Sequence, residues 1–147
     1  MIDVTFAACQ RLIDEARASF KFIGNVADYE AVSGLPRSLP CAYVLPVSES
    51  AGQNAMLGSS LQQHSCTLAV IIIVRHSGDA SGARAVGSLH ELREAAQAAL
   101  VNWTPQGLAG NVTCSPLAFA GGELLEFIDG TTLWRDEFTT DRFVARP

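Results

Sequence analysis

Three histidines, His64, His76 and His90, are the residues where catalysis or metal binding would first show in this chain. His76-Ser77-Gly78-Asp79 sets a base, a hydroxyl and a carboxylate side by side. A nucleophilic triad depends on placing such groups from separate segments, which three neighbours in a turn do not achieve, and Ser77 lacks the G-x-S-x-G elbow. Asp79 reads as turn chemistry ahead of a helix, with Ser81 as a second capping residue. His64 and His76 lie twelve positions apart in one extended segment, so about 40 Å would separate them. His90 borders the buried stripe of a helix with Glu91 and Glu94 beside it, which is a surface arrangement.

The remaining candidates also fail on spacing. Glu123, Glu126, Asp129, Asp136, Glu137 and Asp141 alternate with apolar and aromatic residues, as a half-solvated sheet face would, whereas calcium loops cluster their acids tightly. Cys9, Cys41, Cys66 and Cys114 stand at least 25 residues apart among small or apolar neighbours. They read as buried free thiols, since zinc sites draw ligands in close pairs and an unpaired Cys packs as a small hydrophobe. Gly78-Asp-Ala-Ser-Gly82 lacks the Lys-Ser/Thr end of a phosphate loop and does not match G-x-G-x-x-G. The expectation is a protein with no catalytic, cofactor-binding or metal-ligating residues, whose surfaces do its work. A small-molecule enzyme and a cellular adaptor are the readings from other classes.

The elements that position these residues follow from periodicity. Residues 3–20 predict an amphipathic helix with Phe6, Cys9, Leu12, Ile13, Ala16 and Phe20 inward and Asp3 as N-cap. Tyr29–Val32 reads as a short strand, followed by a loop over 34–40. Cys41–Val47 is a strand in which Pro46 demands an edge or a bulge. Ser48–Ser60 is small and polar, an exposed hairpin tip or arm. Leu61–Arg75 is the longest strand, and its run Leu68–Val74 is continuously apolar, which requires cover on both faces and a central place. A second helix spans 83–102, with Val86, Leu89, Leu92, Ala96, Leu100 and Trp103 inward, Arg84, Glu91, Arg93, Glu94 and Gln97 outward, and Thr104-Pro105 closing it. After a strand over 112–119 interrupted by Pro116, Asp129-Gly130 between two apolar segments signals a C-terminal β-hairpin. The fold class is α+β: a mainly antiparallel sheet with two helices packed on one side.

Composition agrees with work done by association. In 147 residues, enough for one domain with its own core, hydrophobic residues make up 48% and charged residues 17%, below the share of about 25% usual in globular proteins. Net charge is −5 with a single lysine, Lys21, and scattered arginines, which argues against sequence-specific DNA binding and leaves room for a surface past which DNA slides. The N-terminus shows no export signal, and the longest apolar run is far below the roughly 20 residues of a membrane helix, so a cytosolic protein with no membrane partner is expected.

Three linked pieces carry a resemblance: Val70-Ile-Ile-Ile-Val-Arg-His76 leading to Ala98-Ala-Leu-Val-Asn-Trp-Thr-Pro105; Pro116-Leu-Ala-Phe-Ala-Gly-Gly-Glu-Leu-Leu-Glu-Phe127; and Asp129-Gly-Thr-Thr-Leu-Trp-Arg-Asp-Glu-Phe-Thr-Thr-Asp-Arg-Phe143. In order and total length they resemble the tail-terminator proteins of long-tailed phages and prophages, the group that includes minor tail protein U. The pieces cover about half the chain, and the order is more specific than any one of them. The resemblance implies a virion subunit that forms a hexameric ring on the head-proximal end of the tail tube, stops tube polymerisation and meets a head-side connector or stopper protein. It also implies a lumen for DNA and no catalytic residues. A head–tail connector, neck or other tail-completion protein is the alternative. The arm residues Glu49, Gln53, Asn54, Met56 and Leu57 and the aromatics Trp134, Phe138 and Phe143 are the expected interface residues, because exposed arms and aromatic anchors make contacts.

Overall fold

A computed structural model describes residues 1–31, 38–76, 83–110 and 112–147. Their elements run α1 (Ile2–Ala16), β1 (Phe22–Gly24), α2 (Val26–Ala31), β2 (Cys41–Ala51), β3 (Ser60–Arg75), α3 (Ala83–Leu100), β4 (Val112–Cys114), β5 (Ala118–Ile128) and β6 (Thr131–Arg146). One six-stranded sheet has the order β1-β2-β3-β6, with β4 and β5 following one another along the far side of β6. All pairs are antiparallel except β1–β2. The fold is α+β, as the periodicities indicate. Residues 77–82, including Ser77, Asp79 and Ser81, and most of the 34–40 loop lie outside the described residues.

The apolar run of β3 is central because it is covered twice. Leu68, Val70, Ile72 and Val74 face α1 and α3 in the main core with Val4, Leu12, Leu92, Leu100 and Phe138. Ile71 and Ile73 point to the opposite face and join Cys41 and Tyr43 in a second cluster. Each fully buried Leu or Ile there contributes about 1.5–3 kcal/mol relative to exposure. Arg11 ties the helices together by donating from Nε to the Ala99 carbonyl at 3.0 Å.

Several local expectations are corrected. Tyr29 belongs to a third, short helix rather than a strand, and its ring packs edge-on against Tyr43 at 5.3 Å. Asn25 caps that helix by accepting from Ala27 N–H at 3.0 Å, a turn signal that outranks the aromatic content. Asp3 lies inside the first turn of α1, not at its cap, and accepts from the Val4 N–H at 2.8 Å. Phe6 and Val86, assigned inward, are exposed at 48% and 65%. The inward faces are set instead by Val4, Ala8, Leu12 and Ala16 in α1 and by Leu89, Leu92, Ala96, Ala99 and Leu100 in α3. Helix α3 stops at Leu100 because Asn102 takes a left-handed conformation (φ 64°) and hands its N–H to the Leu117 carbonyl. Pro46 sits where β2 bulges, between Pro46 and Ser48, and Asp129 and Gly130 both take positive φ in the final hairpin turn, as their types require.

Candidate assembly surface

Beyond the core, β2 and β3 continue as an arm in which β6 flanks β3 as far as the pair Ser60–Arg146. From Val47 to Gly58 every residue is exposed. The arm is held at its base by an ionic network on the helix-side face. Glu49 meets His64 Nδ1 at 2.7 Å and Arg142 Nη1 at 3.8 Å. Arg142 reaches Asp3 at 3.1 Å, and the terminal ammonium of Met1 lies 2.9 Å from Asp3. The hydrogen bond with His64, against a smaller opposing effect of burial, holds the Glu49 carboxyl below its usual range. Burial pushes the Asp3 carboxyl up, but its bonds from the terminal ammonium, Val4 N–H and Arg142 together outweigh this and bring it down. These are structural contacts: they lock α1, β2, β3 and β6 to one another.

The tip is an ordered turn rather than a loose polar loop. Asn54 organises it, donating from Nδ2 to the carbonyls of Met56 and Ser59 at 2.8 Å and accepting at Oδ1 from Leu61 N–H at 2.8 Å. Gly58 supplies a positive φ of 73°. This leaves Gln53, Met56 and Leu57 as the outward side chains, Met56 half exposed and Leu57 fully so. Glu49 and Asn54 are therefore committed within the subunit, while the other three present a surface.

The aromatic candidates divide. Phe138 is 0% exposed, opposite Leu68 in the register and edge-on to Phe119 at 5.8 Å, so it belongs to the subunit's own core. Trp134 is half-buried against the same core. Its Nε1–H donates to Asp136 at 2.7 Å, and the Arg93 guanidinium covers its ring at 4.4 Å. Phe143, 38% exposed beside the arm strand, stays on the surface.

Two features escaped the sequence reading. Asp136, assigned to a solvated face, is 0% exposed, and Arg93, assigned outward, clamps it through Nε at 3.1 Å to both oxygens and through Nη2 at 3.0 Å. Gly122 lies opposite Asp136, where a Cβ would collide with Asp136 Oδ1 and sit 2.9 Å from Trp134 Nε1. The second feature is β5. Leu124, Leu125, Phe127 and Ile128 are 41–55% exposed along a strand whose one strand partner among the described residues is β6. Adjacent Leu124 and Leu125 break the alternation of a regular strand, and the register shifts there; that doublet was the available signal.

Nothing in the histidines converges on chemistry. His76 Nε2 meets Ser88 Oγ at 2.7 Å and tethers β3 to α3, His64 belongs to the arm base, and His90 is exposed. Cys9, Cys41 and Cys66 are buried and Cys114 partly so, all free thiols. Burial pushes their pKa values up, to about 11 for Cys41 and Cys66. Among the described residues no group of three or more His, Cys, Asp or Glu could hold a metal ion, and no helix is long and apolar enough to cross a membrane.

A sheet with a projecting arm and an apolar edge is an architecture of contact surfaces, and known proteins give it a class. The sequence profile described as "Phage tail terminator protein" matches residues 2–146. The chain belongs to the phage tail terminator family. A solved chain from the "Virion of native gene transfer agent (GTA) particle" has the same fold, with a TM-score of 0.58 at 14% identity over 95% of this chain and 94% of that one. A second solved chain aligns over 96% of this chain and 92% of its own at 15% identity, with a TM-score of 0.47, too low to carry an argument. A search of curated protein sequences returns no match.

Proposed function

We propose that this phage tail protein works as a ring: six copies seat on the head-proximal end of the tail tube, stop its polymerisation and present a surface to the head-side connector or stopper protein. The observation that carries the reading is the β2–β3 arm, a pre-ordered hairpin with Met56 and Leu57 bare at its tip, on a chain that belongs to the terminator family along nearly its whole length. A ring multiplies a modest contact, because each subunit touches two neighbours and the tube at once. The net charge of −5 suits a lumen through which DNA passes without sequence-specific binding. Its place is then the virion tail, after assembly in the host cytoplasm as a single-domain subunit, and it works without catalysis or cofactor.

Imaging tail tubes mixed with the purified protein tests this. Ring-shaped density at one end of each tube, and tubes that no longer elongate, is the expected result. Replacing residues 52–58 by a short turn should leave the fold intact and abolish that capping. Tubes that stay uncapped with the native chain, or are capped equally well without the arm tip, would refute the proposal.

A further inference from the structure

The sheet ends in two open edges that match each other. On one side β5, eleven residues from Ala118 to Ile128, pairs only with β6 among the described residues. On the other, β1 covers β2 only at Cys41–Tyr43, so from Val44 to Ala51 the outer edge of β2 has no strand partner among them. Long apolar edges are aggregation hazards that free-standing proteins blunt with lysine, proline or bulges. From Ala118 to Ile128 there is neither lysine nor proline; the devices present are two bulges and the charges of Glu123, which is paired with Arg135, and Glu126. Instead the strand carries Phe119, Leu124 and Phe127 on its helix-side face, opposite Phe138, Trp134 and Thr132.

We infer that β5 of one copy pairs with the exposed outer edge of the β2 arm of the next, making the sheet continuous around the ring. This inference rests on the ring reading above and names its contact. Strand polarity decides the occupant. Because β2–β3, β3–β6 and β6–β5 are all antiparallel, β2 and β5 run in opposite directions, and a second copy set in continuation of the sheet meets β5 with its β2 antiparallel. Antiparallel pairing needs no crossover and fills the backbone groups of both edges at once. The contact joins opposite edges of the molecule, so it is heterologous and propagates until it closes. A two-fold pairing of β5 with β5 would stop at two copies and leave both arms open.

Cysteine pairs read the contact directly. In a Cys114→Ser background, Ala51→Cys and Phe127→Cys, which lie on the same helix-side face, are placed on separate chains, mixed at tube ends or at high concentration, and treated with a short bismaleimide. Both positions are exposed, so the fold tolerates them. Mixed chains should give a cross-linked dimer, and a chain bearing both cysteines a ladder ending at the closed ring. Phe127→Lys should weaken ring formation at least about tenfold, as charging an apolar anchor does, with thermal stability close to that of the parent chain. Rings that form with no arm–β5 cross-link, cross-linking of Phe127→Cys chains to themselves alone, or normal rings from Phe127→Lys would each overturn the contact while leaving the ring standing. Absence of any ring from the parent chain would overturn both.

Discussion

Replacing Arg93 with methionine removes the counter-ion of a carboxylate that has no access to water. Asp136 is 0% exposed, and Arg93 offers it three N–H···O contacts at 3.0–3.1 Å, while the side chain of Arg93 itself is 25% exposed. Methionine fills much of the arginine's stem volume, so the change isolates the charge. Stripping one partner from a buried pair costs about 3–5 kcal/mol because the other charge is left uncompensated. The Trp134 N–H remains as a donor, which places the expected loss toward the lower end. Against a typical total of about 5–15 kcal/mol this is a large fraction. At about 2–4 °C per kcal/mol for a domain near this size, the melting temperature should fall by about 10 °C. Urea unfolding followed by tryptophan fluorescence is the assay, since Trp134 sits on the pair. Adding Asp136→Asn to Arg93→Met should recover at least half of the loss, because the neutral amide still accepts from Trp134 and no longer needs a cation. An Arg93→Met cost below about 1 kcal/mol, or no recovery in the double variant, would refute the account of this pair.

Three further outcomes follow from the same geometry. Gly122→Ala should destabilise by about 1–3 kcal/mol, as overpacking does, since the new methyl drives into Asp136 and the Trp134 ring; a neutral result by thermal melting would show that the strand can shift. The depressed carboxyls of Asp3 and Glu49 contribute stability that is fully present above the unfolded carboxylate range of about 3.9–4.3 and is lost as pH falls through their lower folded values. Arg142→Gln should therefore flatten the acid limb of the stability curve measured between pH 2 and 6, and an unchanged limb would remove the network from that role. Cys41 and Cys66, with pKa values pushed to about 11 by burial, should resist alkylation of the native protein at pH 8, leaving Cys114 to react first; reaction of Cys41 before Cys114 would contradict the burial.

Where one periodicity dominates, the fold is legible from the residues: the apolar run of β3 placed it centrally, Asp129-Gly130 fixed the last turn, and Pro46 marked a bulge. What escaped depends on partners distant in sequence. Arg93 and Asp136 are 43 residues apart, and each alone looks like an ordinary surface charge. Phe138 and Phe143 share a strand and a chemistry, yet the alternation puts one opposite Leu68 in the core and the other opposite Gln63 on the outer face. Choosing between those faces requires knowing which one the helices cover, and that is a property of the assembled sheet. In β5, Glu123 and Glu126 are interleaved with Leu124, Leu125 and Phe127, so the segment carries the pattern of a half-solvated face although its apolar residues are exposed.

The place of β6 has a consequence for when this protein becomes competent. It is synthesised after every strand it touches, yet it inserts between β3 on one side and β4 and β5 on the other. Until β6 is made, the apolar residues from Leu68 to Ile73 have β2 on one side and no strand on the other, and β5 has nothing to pair with. Sheet closure is thus a late, long-range event, and a chain without β6 leaves β5 and one side of β3 unpaired.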